Sequence, residues 1–271
     1  MKIGFFDSGI GGLTVLREVI TLLPEYNYLY VADSKNVPYG EKSDEEVYEC
    51  TKRALAYLFS KDAKLVILAC NTASSQALRR IQQEWLPKSD WPDRKVLGVL
   101  IPLAEEVSER SKGLIGVIAT SNTVKSGTYI KELRKINPNA QILQVAAPLL
   151  ASFIENNASE EQIKDTLRMY VLPLTLAHIQ SLILGCTHYP ILLSEIREIM
   201  GDEVFIPNPG EIVAKKLQGY LRKHQEIEKE LGRQGKQTFF TTGDPEIFRR
   251  LSARFFSKRL FNRIEIQAIA I

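Results

Sequence analysis

The sequence predicts an α/β protein built on mainly parallel sheet, and three observations carry that prediction. Short continuous apolar runs, such as Leu65-Val66-Ile67-Leu68-Ala69 and Leu182-Ile183-Leu184, have the length and uniform apolarity of strands buried on both faces. Such runs alternate with segments of helical periodicity along the whole chain, which puts helices on both faces of the sheet. Two of the runs also end alike, in Cys70-Asn71-Thr72 and in Cys186-Thr187-His188-Tyr189-Pro190. The carboxyl edge of an open α/β sheet is where ligands bind, so these two ends organise everything else.

In chain order, residues 2–6 read as a strand that ends in Asp7-Ser8 and a glycine-rich turn, Gly9-Ile10-Gly11-Gly12. Leu13, Leu16, Ile20 and Leu23 follow at helical spacing, and Pro24 stops them. Residues 27–33 are a strand and Val37-Pro38-Tyr39-Gly40 a turn. Ser43 and Glu46 have capping-box spacing and open a helix with Val47, Cys50, Ala54 and Leu58 on one face. The first cysteine strand is 64–69, followed by a helix over 73–85 and a loop over 87–94. A second half begins at Lys95 with a strand to Leu100, a short helix over 102–110 and a strand over 114–119 ending in Thr120-Ser121. Residues 141–147 are a strand. Ser159 and Gln162 make a second capping box for a helix reaching Leu174, with a kink expected at Pro173. After the second cysteine strand, Pro190 opens a helix. A short strand is expected over 203–206, a helix over 211–223, a charged helix end or loop over 225–237, a strand over 238–242, a helix over 245–256 and a last strand over 263–271.

The halves echo one another. Asp7 precedes Cys70 by 63 residues, and Thr120 precedes Cys186 by 66. That stride suggests a duplication which makes the two cysteine loops pseudo-symmetric partners.

Bulk properties exclude several classes. The 271 residues are enough for one large or two modest domains, and a net charge of +3 does not indicate a nucleic-acid surface. No apolar run approaches the ~20 residues of a membrane span. The N-terminus reads as a first strand and lacks a signal-peptide pattern, so the cytoplasm is the default location. Three scattered cysteines agree with a reducing compartment.

Free cysteine is commonly a small buried hydrophobe, and Cys50, on an apolar helix face, reads that way. Two cysteines at matching strand ends, each followed by polar donors, read differently. A thiol titrates near ~8.5 and can be tuned by neighbours. A facing pair, one thiolate and one thiol, suits removal of a proton from one side of a carbon and its return on the other. The rivals are a cysteine nucleophile with His188 as base, which leaves the second thiol idle, and a zinc site from Cys70, Cys186 and His188, for which C-x-H is not a recognised spacing. Asp7-Ser8 is either a helix N-cap or an acid and hydroxyl that orient substrate or tune a thiol. Gly9-Ile10-Gly11-Gly12 lacks the third glycine of a dinucleotide fingerprint, so it is read as letting backbone approach a small ligand. Tyr39-Gly40 reads as a turn, while Asn71, Thr72, Thr120, Thr123 and Thr187, each by itself a cap or turn residue, together form a candidate hydrogen-bonding basket at the carboxyl edge. His188 is a proton relay or thiol tuner; His178 and His224 are structural.

Six motifs together resemble the glutamate racemase family: FDSGIGGLTV (6–15), ADSKNVPYG (32–40), ACNTAS (69–74), GVIATSNTV (116–124), LGCTHYP (184–190) and FTTGDPE (240–246). The resemblance runs through nearly the whole chain in the family's order. It implies two pseudo-symmetric, open parallel-sheet, flavodoxin-like domains with the active site in the cleft between them. The boundaries expected are 1–95 with 208–271 for the first and 96–207 for the second. It implies cofactor-independent interconversion of L- and D-glutamate, supplying D-glutamate for peptidoglycan, with no metal, nucleic-acid or membrane partner and a homodimeric assembly. By motif, Cys70 and Cys186 are the acid/base pair, Cys70 serving D-glutamate and Cys186 L-glutamate. Asp7 and His188 assist the thiols, and Asp7, Ser8, Tyr39, Gly40, Asn71, Thr72, Thr120, Thr187 and His188 hold the substrate.

The chain departs from the family's usual pattern at Ala146-Ala147-Pro148 with Ser152, and at Pro207-Asn208-Pro209, while Glu155 is retained. No segment precedes the first strand, so no activator domain is expected. The rival functions are an aspartate racemase or related isomerase with the same thiol pair, and a non-catalytic binding module in the same cleft.

Overall fold

Capping boxes, prolines and apolar runs start and stop most elements locally. A computed structural model describes residues 1–156, 158–261 and 264–271. The chain begins with β1 (Lys2–Asp7), α1 (Leu13–Leu22), β2 (Tyr28–Ala32), α2 (Asp44–Ser60), β3 (Ala63–Leu68), α3 (Asn71–Gln76), α4 (Leu78–Arg80) and β4 (Lys95–Gly98). Next come α5 (Leu100–Arg110), β5 (Ile115–Ala119), α6 (Ser121–Ser126), α7 (Thr128–Ile136), β6 (Ile142–Ala146), α8 (Pro148–Glu155), α9 (Glu160–Leu176), β7 (Ser181–Gly185) and α10 (Leu193–Met200). The last stretch holds α11 (Pro209–Lys223), α12 (Gln225–Glu228), β8 (Gln237–Thr241), α13 (Pro245–Ser252), α14 (Lys258–Phe261) and β9 (Glu265–Ala268). Both expected capping boxes form. Ser43 Oγ accepts from the Glu46 amide while Glu46 accepts from the Ser43 amide, and Ser159 and Gln162 do the same, so each pair satisfies two orphan donors.

The strands assort into two parallel sheets, ordered β4-β3-β1-β2-β8-β9 and β6-β5-β7. Within them, β3-β1-β2 and β7-β5-β6 share one order, with β1 and β5 each flanked by parallel neighbours. The similar stride between strand ends and cysteines, 63 and 66 residues, is thus matched by equal strand order. Strand parity sorts side chains between cores. Ile3, Phe5, Leu65, Ile67, Val117 and Ile183 enter one apolar cluster, which runs from the first sheet through Leu103 and Val107 of α5 to the second. Val66 and Leu68 pack on the outer face of the first sheet, and Leu182 and Leu184 on the outer face of the second. Each such side chain, fully buried, contributes on the order of 1.5–3 kcal/mol.

Four expectations change. The strand at Lys95, read as opening the second half, pairs with β3 and lies in the first sheet; a strand's sheet is decided by its partner, which periodicity does not encode. The strand over 203–206 reduces to one bridge between Phe205 and Ser181, because Pro207 and Pro209 lack the N–H that would extend a ladder. Helices α6, α7 and α8 were not anticipated. Tyr129 and Leu133, four apart and buried, carry α7, but the polar residues around them mask the period, and Gly127 at φ +61° divides it from α6. The last strand begins at Glu265; Arg263, where it was expected to begin, lies outside the described residues. Elsewhere α9 continues past Pro173 to Leu176.

Candidate active site

β3 and β7 each deliver a thiol just past the carboxyl end. Cys70 keeps the parity of Val66 and Leu68, and Cys186 that of Leu182 and Leu184. Cys70 is the N-cap of α3, its Sγ accepting from the Ala73 amide at 3.5 Å, with Ser8 Oγ 3.7 Å away. Beyond Cys186 the chain turns at once, and the Tyr189 hydroxyl pins that turn by donating to the Ala147 carbonyl at 2.9 Å. The two thiols line one cavity of about 210 Å³, and they are 5% and 6% exposed. That volume is below the roughly 300–1,000 Å³ of pockets for drug-sized ligands, so it suits a small molecule.

The two thiols have unlike surroundings. Burial, reinforced by the negative charge of Asp7, pushes Cys70 up to about 12, against the lesser pull of the Ala73 amide and Ser8. Beside Cys186 stands an imidazole: His188 Nδ1 is 3.6 Å from Sγ, and His188 Nε2 is 2.8 Å from Glu155 Oε1. Burial by itself would strip the proton from His188. The Glu155 carboxylate and the contact with Cys186 outweigh it and hold the imidazole well above its ordinary value. Glu155 is pushed up by burial but pulled further down by His188, so its carboxyl sits below the usual range. Sulfur, imidazole and carboxylate thus form a continuous relay, and both His188 and Glu155 line the cavity.

Most expected site residues line this cavity: Ser8, Tyr39, Gly40, Asn71, Thr72, Thr120, Thr187 and His188. They come from both sheets and are joined across the cleft. The hydroxyls of Thr72 and Thr120 are 3.0 Å apart, and the Tyr129 hydroxyl donates to Asn71 Oδ1 at 2.7 Å. Tyr39 turns its hydroxyl away, donating to Asp33 Oδ2 at 2.6 Å. Thr123 is buried behind Thr120 and does not reach the cavity.

Two expectations are corrected. Asp7, read as an acid that orients substrate or tunes a thiol, is not among the residues lining the cavity, which leaves the second role: its charge acts on Cys70, and its carboxylate accepts from Thr187 Oγ1 at 3.2 Å and from the Gly9 amide at 3.0 Å. Burial lifts its pKa, and the nearby His188 charge offsets that only in part. The glycines of 9–12 do not line the cavity either. They make room for protein: a Cβ on Gly9 would overlap Glu155 Oε1, and one on Gly11 would overlap Thr187 Oγ1 and stand 2.7 Å from His188 Cε1. A tight meeting of two chain segments and a meeting of chain with ligand leave the same glycine signature.

Glu155 is the residue whose role sequence reasoning missed. It was noted as retained, but its neighbour His188 is 33 positions away and no spacing joins them. Pro148, Ala151, Ser152 and Asn156, from α8 and the residue after it, also line the cavity. Among the described residues no three His, Cys, Asp or Glu side chains are grouped to hold a metal ion. No described helix is long and apolar enough to cross a membrane.

Residues 12–212 match the family model for Asp/Glu/Hydantoin racemase. A glutamate racemase of Corynebacterium diphtheriae is 38% identical over 262 residues, covering 96% of each chain. The structure is similar to that of a glutamate racemase isoform from Bacillus anthracis, with a TM-score of 0.89 at 34% identity over 100% of this chain and 97% of that one. It is similar also to a Francisella tularensis glutamate racemase in complex with D-glutamate, with a TM-score of 0.86 at 29% identity over 99% and 97% of the two chains.

Proposed function

The chain belongs to the Asp/Glu/hydantoin racemase family, and from that premise we propose that it interconverts L- and D-glutamate by a two-thiol mechanism. The observation that carries this reading is the pair of strand-end thiols lining one small cavity, one beside a buried imidazole–carboxylate pair. From L-glutamate, the Cys186 thiolate takes the α-proton. The electron pair of the broken C–H bond is left on the α-carbon and spreads into the adjacent carboxylate. The Cys70 thiol then gives its proton to the opposite face, forming the new C–H bond of D-glutamate and leaving a Cys70 thiolate. D-glutamate runs the same steps in reverse.

Unequal surroundings of the thiols support that assignment. Cys70, lifted to about 12, rests as the neutral thiol that the L-to-D direction requires as acid. His188, held protonated by Glu155, is placed to compensate negative charge on Cys186. Asp7 acts through Thr187, whose hydroxyl it accepts. No lysine or arginine lines the cavity among the described residues, so the substrate carboxylates would be met by neutral donors: Ser8, Asn71, Thr72 and Thr120. The D-glutamate bound to the Francisella tularensis enzyme favours glutamate as the substrate here.

In this reading the two sheets are the cores of two units, 1–95 with 208–271 and 96–207, with β4 moving the first boundary beyond Gly98. The protein works in the cytoplasm as a homodimer and supplies D-glutamate for peptidoglycan. The test is optical rotation of L-glutamate and L-aspartate incubated with the protein and no added cofactor. Glutamate should racemise and aspartate should not. Cys70→Ser or Cys186→Ser should abolish racemisation with the circular dichroism spectrum unchanged, and near-normal turnover in either would defeat the mechanism.

A further inference from the structure

The segment between β2 and α2 forms part of the cavity wall. Val37, Pro38, Tyr39, Gly40 and Glu41 are consecutive, and all five line it. This strap is rooted in its own sheet through the Tyr39 hydroxyl on Asp33. The Asp33 carboxylate is itself held, accepting from Asn36 Nδ2 at 2.9 Å and from the Thr242 hydroxyl at 2.8 Å. Tyr39 is buried next to Phe6, so the root does not depend on the second sheet.

One residue fastens the other side of the strap across the cleft. Asn122, in the first turn of α6, donates from Nδ2 to the Tyr39 carbonyl at 2.9 Å and to the Lys42 carbonyl at 2.6 Å. An amide nitrogen carries two hydrogens, and both go to the strap, one at each end of the turn Tyr39–Glu41. Asn122 is buried and does not line the cavity. The fastened strap lies so close to Thr120 that a Cβ on Gly40 would stand 2.9 Å from the Thr120 Cβ. Both site thiols are then almost covered, and lifting the strap to admit a ligand breaks both Asn122 bonds.

We propose that Asn122 is the latch of this site, a positioning residue that holds the strap 37–42 closed over the substrate. The identity of that substrate rests on the function proposed above; the latch does not. The test is alkylation by iodoacetamide without substrate, read cysteine by cysteine by peptide mass spectrometry. Removing two neutral hydrogen bonds raises the open fraction by roughly 5- to 150-fold. In Asn122→Ala, Cys70 and Cys186 should be alkylated faster by about that factor while Cys50, in α2 and outside the cavity, keeps its rate. Asn122→Asp has the same shape but sets a carboxylate against two carbonyl oxygens, so it should expose the site thiols at least as much. It also decides the matter if the alanine variant does not fold. In both variants KM for L-glutamate should rise by more than kcat falls. Unchanged rates at Cys70 and Cys186, or acceleration of Cys50 together with them, would overturn the latch. Faster labelling of the site thiols in a protein that does not turn over L-glutamate at all would support the latch and count against glutamate as the substrate.

Discussion

Glu155 offers the sharpest test of the relay behind Cys186. Its Oε1 lies 2.8 Å from His188 Nε2, and the two side chains are 20% and 6% exposed, so solvent screens the pair little. A hydrogen bond to a charged group contributes about 1.5–3 kcal/mol and a neutral one about 0.5–1.5 kcal/mol. Glu155→Gln keeps an acceptor near the imidazole and loses only the charge, a difference of about 1–1.5 kcal/mol. At 1.36 kcal/mol per decade of rate, kcat/KM should fall roughly 5- to 15-fold. Glu155→Ala removes the partner altogether and should cost about 10- to 150-fold. Enantiomers have equal free energy in water, so the equilibrium constant is one and kcat/KM must fall equally in both directions. Polarimetry from L- and from D-glutamate measures both. The pH profile adds an independent sign. The carboxylate raises the His188 pKa, so its removal lowers that pKa and moves the alkaline limb of activity toward acid. Variants within twofold of the parent, an alanine no worse than the glutamine, or an alkaline shift would refute the relay.

Two more outcomes follow from the surroundings of Cys70 and from the glycine turn. Burial lifts Cys70 to about 12, so its thiolate fraction grows about tenfold per pH unit well above neutrality. Its alkylation in the free protein should therefore keep climbing from pH 8 to 10, and a plateau below pH 9 would contradict that placement. Gly11→Ala would drive a methyl into Thr187 Oγ1 and the His188 ring. Overpacking of this kind costs about 1–3 kcal/mol, and since it displaces the relay, activity should fall by more than tenfold, measured by polarimetry, with a lower melting temperature. Full activity would show that Thr187 and His188 can move aside freely.

The order of strands and helices, both capping boxes and both thiol positions were legible from residues 2–6, 43–46, 64–70, 159–162 and 181–186, because each is decided by interactions within a few residues. A buried strand needs only its own apolar run, and a capped helix only its first turn. Cys70 and Cys186 could be singled out on the same grounds, as reactive side chains at the ends of such strands. Helices α6 and α7 escaped because their buried residues are few, and β4 was assigned to the wrong half because α3 and α4 separate it from its partner β3.

Contacts between residues far apart in the chain were settled by packing alone. Glu155 on His188, Asn122 on the strap, Tyr129 on Asn71 and Asp7 beneath Thr187 join residues 33 to 180 positions apart. No periodicity links such pairs, and all but the first also require the two separately wound sheets to have packed together. Local interactions along the chain set which groups exist and at which strand ends they stand. Packing determined which of them face the cavity, which lie behind it, and which sulfur has an imidazole for a neighbour.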